Sequence, residues 1–164
     1  MNALMSSART GTGRDDWQTP PAVLELVRQV APIALDPCSA PGNPVGAERW
    51  CCPPGDGLSI SWGVDSGLVY VNPPYSQCRA WLAKCDSEAT AGVEIVALVP
   101  ARTDTRAWHE SIWPAASAVC FWRGRLRFVG ATASAPFPSA IVYYGSRAGL
   151  FRRVFCGVGH VVVL

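Results

Sequence analysis

Lysine is almost missing from this chain: of 14 basic residues among 164, only Lys84 is a lysine. Charge in general is sparse, at 16% of residues, and the net charge is only +2. That balance is too small to argue nucleic-acid binding from bulk electrostatics. The arginine dominance suits contacts to phosphate or base edges, and a GC-rich genome produces the same bias. Long apolar runs are missing too. The stretch Ile95 to Pro100 has only strand length, so no membrane-crossing segment is expected. No secretory signal is legible. Histidine is scarce, with His109 and His160 far apart, and the seven cysteines include no C-x-x-C pair. These absences argue against a structural metal site. The odd cysteine count without an export signal predicts reduced thiols in a cytoplasm.

What is present is apolar and rich in proline. At 49% hydrophobic, 164 residues suffice for one domain with a real core. Residues 1–15 are small, polar and Gly/Ser/Thr-rich, and read as a flexible tail before a single domain over 16–164. Thr19-Pro20-Pro21 opens a helix, with Thr19 as N-cap and Val23, Leu24, Leu26, Val27 and Val30 as its apolar face. Strands are expected at Ile33–Asp36, Glu48–Cys52, Leu68–Val71, Val93–Val99, Ala118–Trp122, Leu126–Val129, Ser139–Tyr144 and Val158–Leu164. Helices are expected at Ser76–Ala91 and Thr105–Ile112. Strands alternate with helices early and follow one another late. That order predicts an α/β layer fold, a mostly parallel sheet with an antiparallel C-terminal end, flanked by helices.

Several strands stop at proline: Asp36-Pro37, Asn72-Pro73-Pro74 and Val99-Pro100. Proline cannot donate to a sheet ladder, and it holds the residue before it extended. The loops that follow should gather at one sheet edge and form one cleft. The strongest feature there is Asn72-Pro73-Pro74-Tyr75. A carboxamide, bare backbone carbonyls and an aromatic ring in one stiff turn suit a planar amine, whose hydrogens the carbonyls accept and whose plane the ring stacks on. Asp36-Pro37-Cys38-Ser39 follows the first strand without the G-x-G-x-x-G of a dinucleotide site. Its acid suits ribose hydroxyls or a charged amine, or the stretch is an ordinary loop. Asp56-Gly57-Leu58 reads either as an Asp-Gly turn or as an acceptor for an exocyclic amine, with Leu58 packed on a purine. Trp17 precedes the first helix, either beside a carboxylate ligand or as a hydrophobic staple.

Taken together these pieces resemble the small phage-type DNA N6-adenine methyltransferases, the Dam-like family that uses S-adenosylmethionine. The resemblance rests on Trp17-Gln18-Thr19-Pro20, Leu35-Asp36-Pro37-Cys38-Ser39, Asp56-Gly57-Leu58 with Trp62, Val71-Asn72-Pro73-Pro74-Tyr75-Ser76, Leu98 to Thr105, Gly124-Arg125-Leu126-Arg127-Phe128 and Phe137-Pro138-Ser139, in family order. It implies a Rossmann-like class I methyltransferase fold. It implies that Asn72 and the Pro73 carbonyl hold the two hydrogens of adenine N6 in the Asn72-Pro73-Pro74-Tyr75 turn, and that Tyr75 stacks on a flipped-out base. For S-adenosylmethionine it assigns the Asp36 loop to the methionine end, Asp56 to the adenine amine and Leu58 to the ring. Trp17, Thr19 and Pro20 resemble the segment that closes over the methionine carboxylate. Glu48 is the one nearby acid for the ribose hydroxyls. No metal is implied.

One departure stands out. Larger adenine methyltransferases with this motif order insert a recognition domain before the Asn-Pro-Pro-Tyr strand, but here Asp36 and Val71 are only 35 positions apart. Base readout is therefore expected from Ser76, from Arg102, Thr103, Asp104 and Arg106, and from Arg123, Arg125 and Arg127. Arg125 and Arg127 read equally as solvated strand residues. The expected partner is DNA, with a homodimer as one way to hold it. The expected setting is the cytoplasm of a bacterial host, with the chain encoded by a phage or prophage. Cytosine-N4 methylation, methylation of a protein glutamine amide, and a non-catalytic DNA-binding protein retaining the fold are the alternatives.

Overall fold

A computed structural model describes residues 17–164, so the expected tail over 1–15 lies outside the described residues. Seven strands form one sheet: β1 (Ile33–Asp36), β2 (Arg49–Trp50), β3 (Leu68–Val71), β4 (Ile95–Pro100), β5 (Ala118–Trp122), β6 (Ser139–Tyr144) and β7 (Gly159–Val163). Their spatial order is β2-β1-β3-β4-β6-β5-β7. Pairing is parallel between β1 and β2, β1 and β3, and β3 and β4. It is antiparallel from β4 through β6 and β5 to β7. The strands β1 to β5 thus run one way, and β6 and β7 oppose them.

Both faces of the sheet are covered, which is why the strands read as unbroken apolar runs. Leu68, Tyr70, Val96 and Leu98 point to one face, against α1 (Pro21–Val30) and α3 (Ala148–Phe155). Val69, Val71, Ile95, Ala97 and Val99 point to the other, against α2 (Cys78–Thr90) and a π-helical turn over Trp108–Ile112. In α1 the buried residues Val23, Leu24, Val27 and Val30 make the stripe that the spacing predicts.

Three local expectations need correction. Thr19 is not the cap of α1: Pro20 holds that position, and its carbonyl accepts from Val23 N–H at 3.0 Å. Leu126–Val129 is not a ladder strand. Its alternation is real, with Leu126 and Phe128 buried and Arg125, Arg127 and Val129 exposed, but its one pairing is an isolated bridge between Val129 and Gln18. Helix α3 was not expected, because only Phe151 and Phe155 of its eight residues are buried and Gly149 interrupts its first turn.

The topology positions the site. The chain adds β2 on one side of β1 and then β3 on the other, so a crevice opens between the carboxyl ends of β1 and β3. Asp36 ends β1 and Asn72 follows β3, so both stand at that crevice. The carboxyl ends of β4 and β5 reach the same edge, bringing Arg102 and Arg123 to it.

Candidate active site

A cavity of about 1050 Å³ occupies the crevice. Its wall is built from the loop after β1 (Asp36 to Pro41), the turn containing Asp56 and Gly57, Asn72, the Trp17-Gln18-Thr19 segment, and Gln77 and Trp81 beside α2. The structure therefore gathers four sequence-separated motifs around one volume.

Asp36 is 3% exposed, and its carboxylate accepts from Cys38 N–H at 3.1 Å. Burial pushes its pKa up to about 6, against the opposing pull of hydrogen bonds from Cys38 and Ser39. The buried carboxylate stands beside the cavity, where a cationic group could approach it. Cys38 is inert as a nucleophile, since burial and the neighbouring Asp36 charge hold its thiol well above its usual range.

Gly57 brings the second loop against the first. A Cβ there would lie 1.8 Å from the Pro37 carbonyl oxygen and 3.0 Å from the Trp81 ring. Only a glycine permits that approach. Trp62 donates from Nε1 to the Gly57 carbonyl at 2.8 Å and stacks on Trp81. Asp56 makes an Asp-Gly turn, accepting from Leu58 N–H at 2.9 Å. That bond uses one carboxylate oxygen and leaves the other as an acceptor at the cavity wall. Leu58 packs among the hydrophobic residues under α2 and is not part of that wall.

Asn72 is fixed by its amide nitrogen. Nδ2 donates to the Trp17 carbonyl and to Thr19 Oγ1, the latter at 3.2 Å. Among the described residues its Oδ1 receives only a long 3.4 Å contact from the Tyr75 hydroxyl. Pro73 is buried, and Pro74 lines the cavity. Tyr75 stands outside the cavity in an aromatic group. Phe137 meets its ring edge-on at 5.2 Å and Phe128 at 6.4 Å, while Trp17 packs on Phe128 at 5.1 Å. Burial raises the Tyr75 phenol far above its usual range, so it stays protonated.

Some expected site residues lie elsewhere. Glu48 is exposed at the amino end of β2 and does not reach the cavity. The residue directly after β2 that does line it is Cys51. Trp17 packs on Phe128 and Phe137, at the edge of the hydrophobic cluster that includes the buried face of α1. Pro20 does not line the cavity. Sequence reading missed Gln77 and Cys51, and Trp81 is both a core residue and part of the cavity wall. A tryptophan one helical turn beyond Gln77 was the available signal.

Ser76, Arg102, Thr103, Asp104 and Arg106 are exposed, as are Arg123, Arg125 and Arg127. Arg127 donates from Nε to the Ala131 carbonyl at 3.2 Å, which holds its loop. All follow strand ends on the cavity's edge of the sheet. No group of His, Cys, Asp or Glu among the described residues is arranged to hold a metal.

A family model for DNA N-6-adenine-methyltransferase (Dam) matches residues 6–141. The chain belongs to the Dam family. The match takes in the cavity loops, the Asn72 turn and both arginine loops, and ends inside β6, so α3 and β7 lie beyond it. Dam membership makes methyl transfer the reaction class and DNA the substrate class. No curated protein matches the chain. Among the described residues no helix is long and apolar enough to cross a membrane.

Proposed function

We propose that this protein transfers a methyl group from S-adenosylmethionine to the exocyclic N6 amine of adenine in DNA. The observation that carries the reading is the state of Asn72. Its Nδ2 is tied to Trp17 and Thr19, so the oxygen remains to accept a hydrogen from an amine. The fold is read as Rossmann-like, and residues 16–164 as one domain without a separate recognition domain. Residues 37–67, where a larger relative would carry one, hold β2 and the cavity loops.

The cavity fits the cofactor in three respects. Its volume lies at the top of the usual range for a small-molecule site. Asp36 offers a buried carboxylate to an ammonium group, and no ion pair to it is found among the described residues. Asp56 offers an acceptor, and Gly57 and Trp81 close one wall. Bound S-adenosylmethionine supplies an electrophilic methyl group on a good leaving group.

The remaining work falls to the chain. Asn72 Oδ1 and the Pro73 carbonyl accept the two N6 hydrogens, which keeps the nitrogen lone pair out of the ring. Tyr75 offers its ring to an extruded base. Alignment is the main contribution, and the amine proton leaves after transfer. Ser76 and the two arginine loops hold the DNA. The setting we propose is the cytoplasm of the cell whose DNA is modified.

Methyl transfer from labelled S-adenosylmethionine to unmethylated DNA, followed by nucleoside analysis, tests the reading. N6-methyladenine is the expected product. N4-methylcytosine alone, or label found only on protein, would overturn it.

A further inference from the structure

The Asn72 carboxamide is the end of a buried hydrogen-bond chain. Thr19 Oγ1 accepts from Asn72 Nδ2 at 3.2 Å and shares a second hydrogen bond with the Tyr70 hydroxyl at 2.7 Å. Thr19 is 7% exposed and Tyr70 is fully buried. Tyr70 and Asn72 lie two positions apart, so the strand pleat puts both side chains on one face. Tyr70 is anchored in the hydrophobic cluster that includes Val23 and Val27 of α1. Its phenol is raised well above its usual range, first by burial, so it remains a neutral hydroxyl. Thr19 is thereby freed from capping the helix, and its hydroxyl faces inward to Tyr70 and Asn72.

We infer that Thr19 and Tyr70 are positioning residues that set which end of the Asn72 amide meets the target amine. This rests on the reading of Asn72 as the acceptor of the N6 hydrogens. An asparagine amide is nearly symmetric in shape but not in chemistry. Turned by half a rotation, it presents N–H groups to an amine that also carries N–H groups, and transfer has no aligned nucleophile. The Trp17 carbonyl and Thr19 Oγ1 both accept, and together they engage both Nδ2 hydrogens. Thr19 can accept from Asn72 while donating to Tyr70 or taking a hydrogen from it. A valine at 19 keeps the shape and removes the acceptor.

The test uses the full chain and labelled S-adenosylmethionine with unmethylated DNA. Thr19→Val is expected to lower kcat about tenfold, with KM for DNA and for the methyl donor changed by no more than about twofold. Thr19→Ser restores most of the rate. Tyr70→Phe lowers kcat by a smaller factor, about threefold, because the Thr19 acceptor survives. A parental kcat in Thr19→Val overturns the inference. So does a loss confined to KM for the methyl donor, which would make Thr19 a cofactor contact. Asn72→Ala separates the two levels: if it keeps the parental rate, the acceptor reading itself fails, whatever Thr19 does.

A second measurement does not depend on turnover. The chain has three asparagines, Asn2, Asn43 and Asn72, so selective nitrogen-15 labelling resolves the Asn72 side-chain amide. Its protons are expected to exchange slowly in the parent and at least about tenfold faster in Thr19→Val. Equal exchange in the two proteins overturns the inference.

Discussion

Gly57 and the Pro37 carbonyl are packed so closely that a Cβ on the glycine would stand 1.8 Å from that oxygen. Two loops that follow different strands therefore touch through backbone alone, and the floor of the cavity is their line of contact. The neighbour is a main-chain atom next to Asp36, so it has no side chain to swing aside. Gly57→Ala is expected to cost about 1–3 kcal/mol in folding stability and to weaken cofactor binding more than tenfold, on the order of 1.4 kcal/mol. Gly63→Ala is the control, since its Cβ would meet nothing closer than 3.7 Å. Thermal unfolding and calorimetry of both variants check this. A Gly57→Ala protein that binds like the parent would show the loops to be separable.

The buried charge on Asp36 predicts a pH dependence. With a folded pKa of about 6 against an ordinary aspartate value of 3.8, the folded state keeps a proton that the unfolded chain releases. Stability therefore falls as pH rises from about 4 to 6, and above that the penalty is fully present, at roughly 3 kcal/mol. Cofactor binding runs the other way. The carboxylate must be charged to hold an ammonium group, so affinity is expected to be flat above pH 7 and to drop as pH falls below about 6. In Asp36→Asn the empty protein gains stability at neutral pH, while affinity falls and loses this dependence. Calorimetric titrations between pH 5 and pH 8 decide it. An affinity that is level across that range removes Asp36 from the ammonium subsite.

Asp36 and Asn72 were legible in the sequence for one reason: proline marks where a strand must stop, and strand ends on one side of a parallel sheet converge. Gly57 was legible only as half of a turn, because its closeness to Pro37 depends on how two loops pack. Glu48 was misplaced by a few residues. An acid near a short strand gives no sign of whether it stands at the amino or carboxyl end until the register with β1 is known, and Leu35 pairs with Arg49. Thr19 shows a different limit. Its sequence context satisfies the capping rule, yet Tyr70 and Asn72 offered its hydroxyl better partners than the helix did. Local preference yields to tertiary contact at such points. The alternation around Leu126 and Phe128 is another case, correct about burial and silent about whether a neighbouring strand exists.

The proposed reading gives the Asp56 carboxylate two functions, and a substitution separates them. The turn needs an oxygen to accept from Leu58 N–H, whereas the proposed cofactor contact needs the other oxygen to accept from an amine. Asp56→Asn keeps the first and replaces the second with a donor. It is expected to leave the unfolding midpoint unchanged and to lower cofactor affinity about tenfold. Asp56→Ala should lose both, with a lower midpoint as well. Equal affinities in parent and Asp56→Asn would leave the residue with its turn role alone.

The arginine loops are the proposed route to DNA, because bulk charge is too low to supply it. Arg123 and Arg125 are exposed beside the carboxyl end of β5, on the cavity's edge of the sheet. Arg147 is also basic and 42% exposed, but it is paired with Glu94 at the opposite edge. If the first two bind phosphate, replacing each with alanine should flatten the dependence of log affinity on log salt by about one unit. Affinity should fall alike for every DNA sequence. If either reads a base, the loss is confined to the preferred site, at about 1–3 kcal/mol, with the salt slope little changed. Arg147→Ala should do neither. Fluorescence anisotropy with labelled duplexes at several salt concentrations distinguishes these outcomes. A salt slope and specificity untouched by both loop variants would move DNA binding to another part of the edge, with Arg102 and Arg106 the next residues to change.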